Sequence, residues 1–300
     1  MNMPAASAAF ACPVCEAKTT ELYLDGEEQD LGVSVIGSSR EYSFPGRILR
    51  CLACGFGFRQ LRSSPEELQR LYRKMDPKVY ESEVQGRNRT ARKHLEIVEQ
   101  HVRPGRILDV GCASGLFLRH ALESGWDVTG VEPSEKLYAE ACRNLGGRGE
   151  VQCTTLEDAR LERDFDAITL WDVLEHVPDP KGFLCVCRAL LRHGGYLFLN
   201  VPDLDSVEAR VLGHHWPLLL PEHLNYFNGK SLRLCGARAG LIPVRFGRRW
   251  AFFSVKYVAC RAAQHHIPGS TVLRKAAESF LGRLLIPVSL GESLAVWRSA

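Results

Sequence analysis

The sequence predicts an α/β protein with a doubly wound, mostly parallel sheet behind a small N-terminal module. Between residues 106 and 201, short apolar segments alternate with amphipathic helical segments, as in a parallel sheet with helices on both faces. Residues 1–62 instead combine two Cys-x-x-Cys pairs with short alternating stretches, which favours small strands joined by turns. A chain of 300 residues accommodates one large domain and such an appendage.

The predicted elements follow one another in a regular order. Helices are expected at 64–103 (with a distinct helix at 90–102), 115–123, 134–145, 182–191 and 231–239, and an amphipathic helix at 272–285. Strands are expected at 107–110, 128–132, 151–153, 165–171 and 196–201, with β-rich runs at 242–261 and 293–298. A long Pro- and His-rich connection over 202–228 separates the alternating part from the rest, and loops of that length are usually functional.

The composition excludes several classes of protein. Hydrophobic residues make up 45% of the chain, and the net charge of +3 comes without a dense Lys/Arg block, so no nucleic-acid partner is expected. No apolar run is long enough to span a bilayer, and the N-terminus does not resemble a signal peptide. Seven of the eleven cysteines are scattered, which does not fit a disulfide framework and favours a cytoplasmic location.

The other four cysteines predict a metal site. Cys12 and Cys15 form one Cys-x-x-Cys pair, and Cys51 and Cys54 form the second. Two such pairs supply the four thiolates of a tetrahedral zinc centre, and a closed Cys₄ site leaves no open position for catalysis. We therefore expect structural Zn²⁺, although paired cysteines can also be redox-active or free of ligand.

A glycine turn after the first predicted strand carries the strongest signal for a cofactor. In the segment 108–115, Asp109 ends the strand region, and Gly111 and Gly115 flank the turn into the next helix. The following strand ends in Glu132, 21 positions after Gly111, where a carboxylate can accept hydrogen bonds from ribose hydroxyls. The spacing differs from the G-x-G-x-x-G of dinucleotide sites, and the acidic Asp109 suits a ligand with an amino group.

These segments, together with 165–177 and 191–197, resemble the ordered motifs of class I S-adenosylmethionine-dependent methyltransferases. The resemblance implies S-adenosylmethionine as cofactor and a Rossmann-like fold: an α/β, doubly wound, mostly parallel seven-stranded sheet, here with a small N-terminal zinc-ribbon module. Glu132 would bind the ribose, the Thr155–Leu156 region would lie beside the adenine, and Trp171 would lie near the methionine end. The implied cofactor-binding residues are Asp109, Gly111, Cys112, Gly115, Glu132, Pro133, Thr155, Leu156 and Trp171.

The resemblance extends to bacterial methyltransferases with an N-terminal zinc ribbon, through the segments 51–58, 65–72 and 221–227. That group acts in polysaccharide, deoxysugar and secondary-metabolite pathways, which implies methylation of an oxygen or carbon of a sugar-like small molecule or glycan. The expected layout is a zinc-binding module at 1–62, a helical linker or lid at 63–104, and a methyltransferase domain at 105–300 with a substrate-side loop at 202–230.

Several side chains are candidates for a general base, which methyl transfer needs only when the acceptor must lose a proton. His176, Asp172 and Glu175 follow the fourth central strand, and the loop offers His223, Tyr226 and the adjacent His214 and His215. We select His176, His223 and Asp172 as the catalytic candidates.

Two alternatives remain open. Asp172-x-x-Glu175-His176 also resembles a divalent-cation cluster of some quinol O-methyltransferases, which would make the protein a Mg²⁺-dependent quinol or catechol O-methyltransferase. A zinc-ribbon binding module on a degenerate, non-enzymatic scaffold is the other alternative, and the intact Asp109, Gly111 and Glu132 argue against it. The sequence leaves open whether residues 272–285 form a homodimer surface, a lid or a packed helix.

Overall fold

The fold is described from a computed structural model, which covers residues 10–26, 46–59, 83–267, 270 and 277–300. Its strands are β1 Thr20–Leu24, β2 Ile48–Cys51, β3 Gly57–Arg59, β4 Arg106–Val110, β5 Asp127–Val131, β6 Glu150–Gln152, β7 Phe165–Leu170, β8 Leu191–Pro202, β9 Asn225–Tyr226, β10 Leu241–Arg248, β11 Ala251–Ser254, β12 Leu285–Val288 and β13 Glu292–Ser299. Its helices are α1 Val84–Glu99, α2 Leu116–Glu123, α3 Glu135–Leu145, α4 Pro180–Leu190, α5 Val207–Leu212, α6 Gly229–Arg238 and α7 Val255–Gln264. Short 3₁₀ turns lie at Leu174–His176, Gly213–His215 and Phe280–Arg283.

The central sheet has seven strands in the order β10-β13-β8-β7-β4-β5-β6. β4 pairs in parallel with both β5 and β7, and β13 is antiparallel to its neighbours β8 and β10. The chain builds outward from β4 through β5 to β6 and then returns to place β7 and β8 on the other side. This reversal opens a crevice at the carboxyl ends of β4 and β7, where doubly wound sheets bind ligands. The predicted seven-stranded, mostly parallel fold is confirmed.

Both faces of this sheet are buried, and successive strand residues contribute to the apolar clusters on opposite faces. Leu108 and Ile168 belong to one apolar cluster, and their chain neighbours Ile107 and Ala167 belong to another on the opposite face. Helix α1 packs against α2 on the second face, with Leu95 and Val98 buried. Burial on both sides explains the continuous apolar runs of the strands in the sequence.

A smaller four-stranded sheet has the order β1-β2-β3-β9. Its first three strands belong to the cysteine-rich module, but β9 comes from the long connection that follows β8. Gly57 pairs with Tyr226 and Phe58 with Asn225 in antiparallel register. Residue 62, the predicted end of the N-terminal module, therefore does not mark the boundary between the two sheets. The edge strand of the module's sheet, β9, lies far beyond it in the chain.

The structure corrects three predicted elements. Helix α1 begins at Val84 rather than at residue 90. The run 242–261 contains β10 and β11 but becomes helix α7 at Val255, because the Ser254 side chain accepts a hydrogen bond from the Tyr257 amide (3.1 Å) and caps the helix. The predicted helix at 272–285 does not reach its end, since residues 280–283 form a 3₁₀ turn and β12 begins at Leu285.

Two further predictions concern regions that are not described. Residues 64–82 of the predicted helical region 64–103, and residues 272–276 of the stretch 272–285, lie outside the described residues. Among the described helices, none combines the length and the hydropathy required to cross a bilayer.

Candidate functional site

The crevice after β4 is built from a buried carboxylate and two glycines in the left-handed region. Asp109 is buried, and its carboxylate accepts a hydrogen bond from the Thr169 hydroxyl (2.6 Å). Gly111 and Gly115 have φ of 70° and 73°, and Gly115 precedes α2 as its N-cap. A Cβ at Gly111 would lie 2.9 Å from Val173 Cγ2. The turn therefore needs glycine for its backbone angles and for the space beside β7.

Glu132 ties this turn to the end of β5. Its two carboxylate oxygens accept hydrogen bonds from the amides of Ala113 (2.9 Å) and Ser134 (2.8 Å). A carboxylate can accept about four hydrogen bonds, so Glu132 keeps capacity for a ligand's hydroxyl groups. Only 6% of the residue is exposed.

Both crevice carboxylates have perturbed proton affinities. Burial raises the pKa of Asp109 to about 7, against the lowering effect of the Thr169 hydrogen bond. Burial likewise raises the pKa of Glu132 to about 7, against its two backbone hydrogen bonds. A cationic ligand in the crevice would favour the ionised form of each group, because opposite charge stabilises a buried carboxylate.

A single cavity of about 840 Å³ is lined both by this crevice and by side chains of the turn that follows β7. The predicted site residues in its wall are Asp109, Gly111, Cys112, Glu132, Pro133, Thr155, Leu156, Trp171, Asp172, His176 and His223. Gly115 is absent from the wall, and it packs instead against Ala141 of α3. His214, His215 and Tyr226 do not line this cavity, and Tyr226 is fully buried beside Trp216.

Two imidazoles face each other on the far side of the cavity. The rings of His176 and His223 have centroids 4.8 Å apart. Their Nδ1 atoms lie 2.9 Å from the carbonyl oxygens of Glu222 and Leu218, respectively. Since a carbonyl only accepts, each Nδ1 carries the proton, and the acceptor lone pair is on Nε2. Burial lowers the pKa of both residues, so both imidazoles are neutral near pH 7.

Asp172 has other partners. Its carboxylate binds the guanidinium of Arg249 (3.2 Å) and the amide of Asn200 (2.6 Å). Desolvation opposes ionisation, but the Arg249 charge and the Asn200 amide hold the pKa of Asp172 below its ordinary value. These partners favour the ionised carboxylate, which argues against a catalytic base at Asp172.

The structure groups a different set of donor atoms from the predicted cation cluster Asp172-x-x-Glu175-His176. Donor atoms of Glu175, His176 and His223 lie within 4.8 Å of one another, and Asp172 is not part of that group. Glu175 is 1% exposed, and burial raises its pKa well above the ordinary value.

Comparison with known proteins identifies the family. A family model described as a methyltransferase domain matches residues 80–245, more than half of the chain. The chain belongs to the methyltransferase-domain family. Its crevice occupies the place that this sheet topology predicts for a ligand.

The similarity to curated relatives covers part of this chain. The ubiquinone biosynthesis O-methyltransferase of Haemophilus ducreyi is 39% identical over 135 residues, which are 41% of this chain and 57% of that protein. The protein of the same name from Bordetella avium is 31% identical over 150 residues, or 46% and 62% of the two chains. The chain thus spans less than two thirds of either relative.

A solved structure supports the fold over a longer range. The Burkholderia thailandensis 1,6-didemethyltoxoflavin-N1-methyltransferase, solved with 1,6-didemethyltoxoflavin and S-adenosylhomocysteine, superposes with a TM-score of 0.52. The match covers 87% of this chain and all of that one at 18% identity. At that identity it shows a shared fold.

The methyltransferase domain also contains a polar network that the sequence did not reveal. Arg249 binds Glu292 (2.6 Å) and lies 3.3 Å from His94 Nε2, and His94 stacks on Trp171 with centroids 3.8 Å apart. Burial alone would lower the pKa of Arg249, but the carboxylates of Asp172 and Glu292 raise it above the ordinary value. The only sequence signal was His94, a polar residue on the apolar stripe of α1.

The four cysteines of the N-terminal module converge as predicted. Cys12 Sγ lies 3.6 Å from Cys54 Sγ, and Cys15 Sγ lies 3.4 Å from Cys51 Sγ. All four sulfur atoms lie within 4.8 Å of one another. Zn–S bonds of about 2.3 Å give a tetrahedron with edges of about 3.8 Å, so this donor set fits zinc.

Proposed function

We propose that this protein transfers the methyl group of S-adenosylmethionine to a hydroxyl oxygen of an apolar, ring-bearing small molecule. The observation that carries the proposal is the single cavity whose wall contains both the Asp109–Glu132 crevice and the His176–His223 pair. The curated relatives are named as O-methyltransferases, which supports oxygen as the acceptor atom.

The residues of the crevice suit the cofactor. Glu132 would accept hydrogen bonds from the ribose hydroxyls while keeping its own backbone donors. Asp109 would face the positively charged methionine end, and its raised pKa would fall once a cation is bound beside it. Leu156 is buried and Thr155 lines the cavity, which suits contact with the adenine.

The acceptor side of the cavity is mostly apolar. The cavity wall includes Leu218, Leu220, Phe253, Tyr257, Val258 and Ile267, together with charged residues such as Glu222 and Arg261. A sugar would need many polar partners for its hydroxyl groups, because a buried polar group without a hydrogen bond is costly. An aromatic or phenolic acceptor fits this wall better than the sugar-like or glycan acceptor expected from the sequence.

The reaction requires the protein to position the methyl donor and the acceptor and to supply a proton acceptor. The cofactor would supply a methyl group bound to a sulfonium sulfur, and the neutral thioether that remains after transfer is a good leaving group for in-line displacement. The cavity would hold donor and acceptor in line and exclude water. Nε2 of His223 or His176 would take the acceptor's hydroxyl proton, since the Nδ1–H bonds to backbone carbonyls place the acceptor lone pair on Nε2.

The first test is cofactor binding followed by product analysis. Titration calorimetry should show binding of S-adenosylhomocysteine by the wild type and its loss in Asp109→Ala and Glu132→Ala. Incubation with labelled S-adenosylmethionine and a catechol probe should give an O-methylated product by mass spectrometry, reduced by His223→Gln. Absence of nucleoside binding by the folded wild-type protein would falsify the proposal.

A second candidate is a cation-assisted form of the same reaction. It is favoured by Glu175, whose buried Oε2 has no hydrogen-bond partner among the described residues and lies beside His176 and His223. A divalent cation there would polarise the acceptor hydroxyl directly. Turnover that vanishes after chelation, with the Cys₄ zinc content unchanged, and returns with Mg²⁺ or Mn²⁺ supports this form. Undiminished turnover supports the histidine base.

We also propose that the Cys₄ site binds structural zinc, on the basis of the sulfur distances. The purified chain should contain about one zinc atom by mass spectrometry, since a Cys₄ site holds one ion. The Cys51→Ser/Cys54→Ser variant should contain almost none. Equal zinc content in both proteins contradicts this assignment.

A further inference from the structure

The loop that carries His223 is part of the sheet of the cysteine-rich module. Beyond the β3–β9 pairing, the Arg59 amide donates to the Leu224 carbonyl (3.0 Å), and the Arg59 guanidinium donates to the carbonyl of Pro221. These bonds enclose His223 between Pro221 and Leu224. The module thus holds the backbone on both sides of a proposed catalytic residue.

The opposite side of the same loop is bonded to the turn that carries His176. The Leu224 amide donates to the Glu175 carbonyl (2.8 Å). The buried Asn225 side-chain amide donates to the carbonyls of Leu174 (3.1 Å) and Val177 (2.6 Å), one on each side of His176. One asparagine therefore links the edge strand of the module's sheet to the turn after β7.

The cysteine knuckle leads directly into this strand. Gly55 follows Cys54 with φ of 77°, and the Cys51 amide donates to the Phe56 carbonyl (2.8 Å) to close the knuckle. Phe56 is fully buried and packs edge-on against Phe227, with ring centroids 4.9 Å apart. Only two residues separate Cys54 from β3, so a change in the knuckle is transmitted to the strand that pairs with β9.

We propose that the Cys₄ module positions the two active-site imidazoles through β3, and that Asn225 is the positioning residue that couples them. The inference rests on the proposed roles of His176 and His223. It gives the module a function inside the active site, rather than the presentation of a substrate from outside. The cofactor crevice lies on β4 and β5, which belong to the seven-stranded sheet and not to the sheet that contains β3, so we expect the effect at the acceptor side of the cavity.

The test reads the imidazoles directly and needs no acceptor. In the ligand-free, histidine-labelled protein, ¹⁵N spectra report the ring nitrogens, and His176→Gln and His223→Gln assign them among the ten histidines. Asn225→Ala should shift both sets of signals and expose the Nδ1 protons to faster exchange. Removing the metal from the wild type should shift the His223 signals in the same direction, and reloading zinc should restore them.

The control is Ser231→Ala. Ser231 is fully buried and hydrogen-bonds Asn228 in the cap of α6, and it has no bond to Asn225 or to the turn at 174–177. It should lower the melting temperature without moving the imidazole signals. The affinity for S-adenosylhomocysteine should stay within about twofold of the wild type in Asn225→Ala, in Ser231→Ala and in the metal-free protein. Turnover of a catechol probe should fall about 100-fold in Asn225→Ala and in the metal-free protein, but not in Ser231→Ala.

The possible failures are distinguishable. Loss of cofactor binding in the wild type, or no methyl transfer by it, contradicts the proposed function without affecting the spectra. Unchanged imidazole signals after metal removal overturn the positioning role, whether or not Asn225→Ala folds. A shift of the same size in Ser231→Ala also overturns it, because the effect would then be general destabilisation.

Discussion

Replacing Glu132 by Gln tests the cofactor crevice with the smallest change of shape. The carboxylate accepts one backbone amide on each oxygen, from Ala113 and Ser134. Glutamine keeps the size but offers one oxygen and one NH₂ group. One backbone donor then faces another donor, and the negative charge beside the ribose is lost.

The size of the effect follows from the bonds that change. A hydrogen bond to a charged group contributes about 1.5–3 kcal/mol, against about 0.5–1.5 kcal/mol for a neutral pair. Two ribose hydroxyls would therefore lose about 2–3 kcal/mol together, which is a 30- to 150-fold weaker affinity.

The pH dependence gives a second signature. With a pKa of about 7, Glu132 is mostly protonated below pH 7 in the free protein, and the ligand's hydroxyls favour the ionised form. Wild-type affinity should thus rise between pH 6 and pH 8 as the group ionises. Glu132→Gln should show a shallower rise, with the remainder due to Asp109, whose pKa is also about 7.

Titration calorimetry with S-adenosylhomocysteine at pH 6, 7 and 8 measures both effects. Glu135→Gln is the matched control, because it removes a carboxylate three positions along the same segment from an exposed side chain. That control should bind within about twofold of the wild type, as expected for an exposed charge. A Glu132→Gln protein with wild-type affinity at every pH refutes the ribose contact.

Two further predictions concern stability. Gly115→Ala places a Cβ 3.1 Å from Ala141 at φ of 73°, whereas Gly146→Ala at φ of 60° meets no atom within 4 Å. Both substitutions should lower the free energy of unfolding, measured by chemical denaturation, by about 1 kcal/mol or more. Gly115→Ala should cause the larger loss and should also weaken cofactor binding. Equal losses in the two variants would show that the contact with Ala141 is irrelevant. Arg249→Met leaves the Glu292 carboxylate buried and should cost about 3–5 kcal/mol, part of which Arg249→Met/Glu292→Gln should recover. A double variant no more stable than the single one contradicts a buried ion pair.

The cofactor crevice could be predicted because its determinants are local in the chain. Asp109, Gly111 and Glu132 belong to two consecutive strand–turn units, and parallel pairing of adjacent strands brings them together. The network around Arg249 could not be predicted in this way. Its members come from α1, β13 and the turns after β7 and β10, and no local pattern relates residues so distant in sequence.

Asp172 shows the same limit at a single residue. Its position after a central strand indicated an active-site carboxylate, and it does line the cavity. Its proton affinity, however, is set by Arg249 and Asn200, which come from the turn after β10 and from β8. A residue type and its place on a strand predict location, but charge partners decide whether the group can act as a base.

The sequence by itself determined the alternating fold, the glycine turn and the two Cys-x-x-Cys pairs, because backbone angles, apolar periodicity and short spacings are properties of contiguous residues. Only the tertiary structure decided that β9 completes the sheet of the cysteine-rich module and that the rings of His176 and His223 contact each other. Strand pairing at a sheet edge depends on which distant segment folds beside it, and a free edge offers the same backbone donors and acceptors to any partner.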